Sequence, residues 1–203
     1  MSHIAVFLAE GFEEIEALTV VDVCRRAGIE TDMVSVTESL GVTGGHNIKV
    51  YADMCYGDVD FEKLDMLVFP GGLNGTKGLE AHESLMGRLD EFYKKGKYAV
   101  GRCCAVYFRK NGRPAANQLE KINDAPSIFG HRGILRGRNA CCYPSFEPHL
   151  DGAKVTEGPV EVSDHVVTSR GMGTAIDFGL KIVGIFEGED AAEALAAQIV
   201  YAR

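Results

Sequence analysis

At 203 residues, with 46% apolar and 25% charged side chains, the chain is long enough to bury one full hydrophobic core. Its net charge of −8 argues against phosphate-backbone binding as its main business, and no apolar run is long enough to span a bilayer. Met1-Ser2-His3 lacks the basic region of a signal peptide, so the expected location is the cytoplasm, with the six cysteines as reduced thiols.

In chain order, His3–Leu8 is an apolar strand, followed by a helix from about Phe12 to Ala27 that stops at Gly28. Thr31–Val36 reads as a second strand, and His46–Tyr51 as a short alternating edge segment. Asp65–Phe69 is a buried strand that runs into Pro70-Gly71-Gly72. The spacing then predicts one helix from about Gly78 to Lys95, and a strand over Tyr98–Cys103. Ala140–Tyr143 reads as a further strand. Val160–Val162 and His165–Thr168 form a hairpin, and Gly173–Phe186 and Asp190–Tyr201 are closing helices. Continuous apolar strands with helices between them predict an α/β fold, with a mostly parallel sheet covered on both faces. With no repeat or low-complexity linker in view, residues 1–203 read as a single domain.

Residues 105–124 break this pattern. They contain Asn111-Gly112 and Arg113-Pro114 where a short connection is expected, and read as an insertion. They lie in a basic stretch, residues 102–138, that holds eight Lys or Arg against two acids; this local +6 leaves −14 elsewhere. Such a stretch reads as a solvated loop, and nucleic acid is not expected as a partner.

The cysteines are Cys24, Cys55 and two adjacent pairs, Cys103-Cys104 and Cys141-Cys142, with no Cys-x-x-Cys spacing. Neighbours in a strand point to opposite faces, so no metal site is expected; Cys24, Cys55, Cys141 and Cys142 read as small buried apolar residues. Cys103 and Cys104 differ, because they end a strand. There, amide N–H groups and the positive end of a following helix lower a thiol pKa. A carboxylic acid presented beside such a thiol from the first turn of the Phe12–Ala27 helix would relay protons, and amides of the Gly71-Gly72 turn would steady an oxyanion. His82, His131, His149 and His165 have no partner at a recognisable spacing and read as surface or packing residues.

Five motifs carry a resemblance: 9–16 (Ala-Glu-Gly-Phe-Glu-Glu-Ile-Glu), 21–28 (Val-Asp-Val-Cys-Arg-Arg-Ala-Gly), Phe69-Pro70-Gly71-Gly72, Ala125-Pro126-Ser127, and 168–174 (Thr-Ser-Arg-Gly-Met-Gly-Thr). On these the chain resembles the ThiJ/PfpI superfamily, in the group that contains the parkinsonism-associated protein deglycase and its bacterial relatives. The resemblance implies a flavodoxin-like fold like that of class I glutamine amidotransferases, a homodimer, and an oxidisable cysteine on a nucleophile elbow. It also implies cofactor-free glyoxalase or deglycase chemistry on small reactive carbonyls such as methylglyoxal, or on glycated substrates. By position it makes Cys103 or Cys104 the nucleophile, Glu16 the acid beside it, and Gly71 and Gly72 the turn that supplies backbone amides.

The sequence departs from that family twice. An elbow runs from its nucleophile straight into a helix, whereas here Pro126-Ser127 follows about twenty residues after the cysteines. Tyr143 also stands where several relatives have a histidine that assists proton transfer. The alternatives to an enzyme are therefore a redox-sensing or chaperone-like homologue without turnover, and a member disabled by the insertion.

Overall fold

The computed structural model describes residues 1–102 and 125–202. Cys103, Cys104 and the segment 105–124 lie outside the described residues. A seven-stranded sheet forms the centre, in the order β10-β11-β7-β6-β1-β2-β5. The strands are β1 (His3–Leu8), β2 (Glu30–Ser35), β5 (Met54–Cys55), β6 (Met66–Phe69), β7 (Tyr98–Arg102), β10 (Val160–Ser163) and β11 (Val166–Ser169). All pair in parallel except β10, which forms the expected hairpin with β11.

The sheet separates two cores, and the alternation along each strand decides which residue joins which. Ala5, Phe7, Leu67 and Phe69 face α2 (Leu73–Ala81), α3 (Glu83–Lys94) and α4 (Ala125–His131). Ile4, Val6, Leu8, Met66 and Val68 face α1 (Glu14–Arg26), α5 (Ala175–Glu187) and α6 (Glu189–Gln198). Phe69 stacks on Phe7 at 5.8 Å between centroids and meets Phe129 of α4 edge-on at 5.9 Å. Each such ring contributes roughly 1.5–3 kcal/mol by burial. This is the flavodoxin-like α/β arrangement that the sequence predicts.

Three expectations change in detail. The helix expected over 78–95 is two helices, broken at His82 (φ −82°, ψ 85°), whose Nδ1 accepts a hydrogen bond of 3.1 Å from Leu85 N and so caps α3. The edge segment 46–51 is not in the main sheet: β4 (Lys49–Tyr51) pairs with β3 (Gly41–Thr43) as a separate hairpin. The strand expected over 140–143 is only β8 (Asn139–Ala140), paired with β9 (Lys154–Val155). The Cys141 amide donates instead to Thr168 Oγ1 at 3.0 Å, and Pro144, which has no N–H, opens a 3-10 turn.

What matters for function is the register at the carboxyl edge. Phe69 is level with Gly101, and Ser169 with Arg102. The turn after β6 and the turn after β11 therefore flank the end of β7, whose next residue in sequence is Cys103. In open α/β sheets this edge is where ligands bind.

Candidate active site

The loop from Ala9 to Glu13 connects β1 to α1, and the loop from Pro70 to Gly72 connects β6 to α2. Because β1 and β6 are neighbours, the two loops lie side by side, and backbone bonds zip them together. Glu13 N donates to Gly71 O at 2.8 Å, and Gly75 N donates to Gly11 O at 3.2 Å. Gly72, at φ +97°, sits so tightly that an added Cβ would be 2.6 Å from Glu13 N and hard against Gly11 O. Its lack of a side chain is what lets the loops touch.

This contact sets Glu16. The residue lies in the first turn of α1, on the face that also buries Ala17, Val20 and Val21, and it is 1% exposed. The Gly71 amide donates to Glu16 Oε2 at 2.9 Å. Burying a carboxylate costs several kcal/mol unless hydrogen bonds replace its water, and a bond to a charged group returns about 1.5–3 kcal/mol. The positive end of α1 adds to that.

The structure thus brings together three of the residues singled out in the sequence, Glu16, Gly71 and Gly72, beside the end of β7. The Gly71 N–H is directed at Glu16 and is committed to it. Cys103 and Cys104, the two candidate nucleophiles, lie outside the described residues. Pro126 and Ser127 lie in α4 (Ala125–His131).

The other cysteines behave as small core residues, with one exception. Cys24, Cys141 and Cys142 are buried, but Cys55 is half-buried in β5. Burial pushes the Cys24 thiol up to about 12 and the Cys141 thiol up to about 11, so both stay protonated at neutral pH and are poor nucleophiles. Tyr143 is half-buried and packs against Phe146, with ring centroids 6.3 Å apart. Among the four histidines read as bland, His131 bonds Glu80 at 2.9 Å, His82 caps α3, and His165 packs on Tyr93.

One cluster escaped the sequence reading. Glu13, Glu14 and His46 bring three ligand-type atoms within 4.8 Å of one another. The Glu14 carboxylate already accepts bonds from His46 N at 2.7 Å and His46 Nδ1 at 2.9 Å, so its chemistry here is to clamp the β3–β4 turn onto α1. Burial pushes the Glu14 carboxyl up, but the bonds from His46 outweigh it and the group lies below its ordinary range. The same bond to Glu14, aided by the charge of Glu13, holds His46 above the usual imidazole range. Glu14 and His46 are 32 residues apart, so no local spacing marks the pair.

The sequence model of the DJ-1/PfpI family matches residues 2–112 and 106–185, two stretches that overlap at residues 106–112. The chain belongs to this family. It is 31% identical to Protein DJ-1 homolog B of Arabidopsis thaliana over 95% of its own length, but it spans only 40% of that relative. It spans 44% of homolog A from the same plant. Against the glutathione-independent glyoxalase DJ-1 of Schizosaccharomyces pombe it is 30% identical over 90% of each chain. Among solved structures, oxidised DJ-1 of Toxoplasma gondii superposes over the full length of both chains, with a TM-score of 0.86 at 29% identity.

The packing around Gly72 gives a direct test of the DJ-1/PfpI loop pair. Gly72→Ala adds a Cβ against Gly11 and Glu13 at a φ that L residues avoid, so it is expected to lower stability by about 2 kcal/mol or more in urea unfolding. An unchanged midpoint would mean that the two loops are not in contact.

Proposed function

We propose that the protein is a cysteine-dependent, cofactor-free glyoxalase- or deglycase-type enzyme acting on small reactive carbonyls such as methylglyoxal, in the cytoplasm, where its thiol stays reduced. The observation that carries this reading is Glu16, a carboxyl buried beside the end of β7 and held by the Gly71 amide at 2.9 Å. A solvated first-turn acid would need neither burial nor an amide partner from another loop. The similarity to the glutathione-independent glyoxalase of Schizosaccharomyces pombe supports the same reading.

In this mechanism the thiolate of Cys103 or Cys104 adds to the aldehyde carbon of methylglyoxal. A C–S bond forms, and the carbonyl electron pair moves to oxygen, steadied by the Gly72 N–H and then protonated. Glu16 takes the proton from the former aldehyde carbon and returns it to the adjacent carbon, while the new hydroxyl's proton passes to the former ketone oxygen, so that the first carbon becomes a thioester carbonyl. The resulting thioester is hydrolysed by one water, releasing lactate and the thiol. The net reaction adds one water to methylglyoxal and needs no external oxidant or reductant. Glu16→Gln keeps the size and the Gly71 bond but cannot relay a proton. Methylglyoxal consumption is therefore expected to fall about 100-fold or more in this variant and to hold in Cys24→Ala. Full activity in Glu16→Gln would remove Glu16 from the mechanism.

A second reading, a redox-sensing or chaperone-like protein without turnover, is favoured by one observation. The Pro126-Ser127 pair that the family places directly after its nucleophile lies in α4 and follows Cys103 by more than twenty positions of sequence. Wild-type protein that oxidises selectively at this cysteine pair yet consumes no methylglyoxal would establish it.

We further infer that the protein pairs with a second copy through the outer face of α1. Ile15 and Ile48 are 48% and 53% exposed there, beside a groove of about 640 Å³ that Leu18, Ile176 and Ile199 also line. An apolar face of this kind marks an interaction surface, and an isologous pair would cover it on both copies. Sedimentation equilibrium should give twice the chain mass of 22.0 kDa, and Ile15→Asp should shift it toward the single mass. A monomer in the wild type would rule the pairing out.

A further inference from the structure

The Glu13–Glu14–His46 cluster has no part in the carbonyl chemistry above. Among the described residues it is the one place where three side chains able to ligate a metal converge, with their ligand atoms within 4.8 Å of one another. Consecutive helical residues point about 100° apart, so two neighbouring glutamates inside a helix would diverge. Glu13 stands just outside α1 in an extended conformation (φ −81°, ψ 112°), and its carboxyl reaches the same point as that of Glu14. The two glutamate side chains are 12% and 4% exposed, whereas that of His46 is 68% exposed and leaves the cluster open to water.

The ligand atoms are held in place. Glu14 Oε1 accepts from His46 N at 2.7 Å and from Ile48 N at 3.5 Å, and these amides fix the carboxylate with Oε2 toward the imidazole. His46 Nδ1 lies 2.9 Å from Glu14 Oε2 and 3.8 Å from Glu13 Oε2. The turn closes this tightly because Gly44 has no side chain: an added Cβ would run into the Glu14 carboxyl. The positive end of α1 favours ionised carboxylates, which is the form that binds metal. Bonds of about 2.0–2.1 Å to nitrogen and oxygen put the ligand atoms of a tetrahedral ion about 3.3 Å apart. The two spacings around Nδ1 bracket that value, so shifts of about half an ångström complete the geometry.

We propose that Glu13, Glu14 and His46 bind one divalent transition-metal ion of the zinc class, which staples the β3–β4 turn to the start of α1 in place of the hydrogen bond between His46 and Glu14. One imidazole nitrogen with two carboxylate oxygens suits Zn²⁺ and its neighbours, whereas Mg²⁺ and Ca²⁺ are served by oxygen alone. On binding, Nδ1 ligates through its lone pair, the ring proton moves through solvent to Nε2, and a water on the exposed side of His46 completes four ligands. None of the three residues takes part in the thiol chemistry, so the site stands or falls independently of the enzyme reading.

The test titrates the protein with Co²⁺, a coloured stand-in for Zn²⁺, and then displaces it with Zn²⁺. Three forms are compared: wild type, His46→Asn, and the double variant Cys103→Ser/Cys104→Ser, which removes the adjacent thiols as competing ligands. The Asn amide can take over the bond that Nδ1 donates to Glu14 but is a poor ligand for zinc, so His46→Asn keeps the turn clamped. Wild type and the double variant are expected to bind Co²⁺ at this site with visible absorption and no thiolate-to-cobalt charge-transfer band, and to release it to one equivalent of Zn²⁺. The bound Co²⁺ should broaden the amide resonances of Gly44, Gly45 and His46. Losing an outer-shell partner costs a metal site about 10–100-fold in affinity, so losing a ligand in His46→Asn should cost about 100-fold or more.

Affinity that survives His46→Asn, or that disappears in the cysteine double variant, would place the metal elsewhere and overturn the site. So would a wild type that takes up no Co²⁺ or Zn²⁺ at millimolar metal. In each of these cases the Glu14–His46 pair is a hydrogen-bonded clamp and nothing more.

Discussion

The hydrogen bond from the Gly71 amide to the Glu16 carboxylate, 2.9 Å long and spanning 55 positions of sequence, is the constraint on which the rest of the site depends. A carboxylate that is 1% exposed cannot be left without donors, so the β6–α2 turn must stay against the start of α1. Two glycines make that approach possible. At Gly11 an added Cβ would be 2.6 Å from Asn74 Cβ, and at Gly72 it would press on the Gly11 carbonyl. The parallel pairing of β1 with β6 supplies the alignment, because it brings the ends of both strands to one edge. Fold and chemistry thus meet at one amide.

Electrostatics separates the cysteines by environment rather than by residue type. Cys24 and Cys141 are raised to about 12 and about 11 by burial, which leaves them inert packing groups. A reactive thiol needs the opposite surroundings: backbone amides, partial exposure and a carboxyl that can exchange a proton. At the carboxyl edge the turn after β6, with Gly71 and Gly72, and the turn after β11 flank the end of β7. The Glu14–His46 clamp works next door. It fixes the β3–β4 turn over the same loop, reinforced by Gly11 N to Thr43 O at 2.8 Å and Gly45 N to Phe12 O at 2.8 Å.

Much of this was legible in the sequence because the signals were local. The apolar runs of β1 and β6 are buried on both faces, and that continuity identifies a parallel sheet without any partner in view. Glu16 was legible through its motif rather than through its spacing, since a first-turn acid is ordinary on a helix. What escaped was decided by contacts across the chain. The break between α2 and α3 has no Gly or Pro to announce it; it arises because the His82 side chain bonds the Leu85 amide. The strand expected at 140–143 stops early because the Cys141 amide finds the Thr168 hydroxyl instead of a strand partner. The commitment of the Gly71 amide to Glu16, 55 positions away in sequence, depends on the register of β1 with β6.

The measurement that bears most directly on this account is peptide-level mass spectrometry after a mild peroxide titration of the wild type and of Glu16→Leu. The account predicts sulfinic acid at Cys103 or Cys104, with Cys24 and Cys141 spared, and loss of that selectivity in Glu16→Leu. Oxidation spread over all six cysteines, or absent from the 103–104 pair, would contradict it.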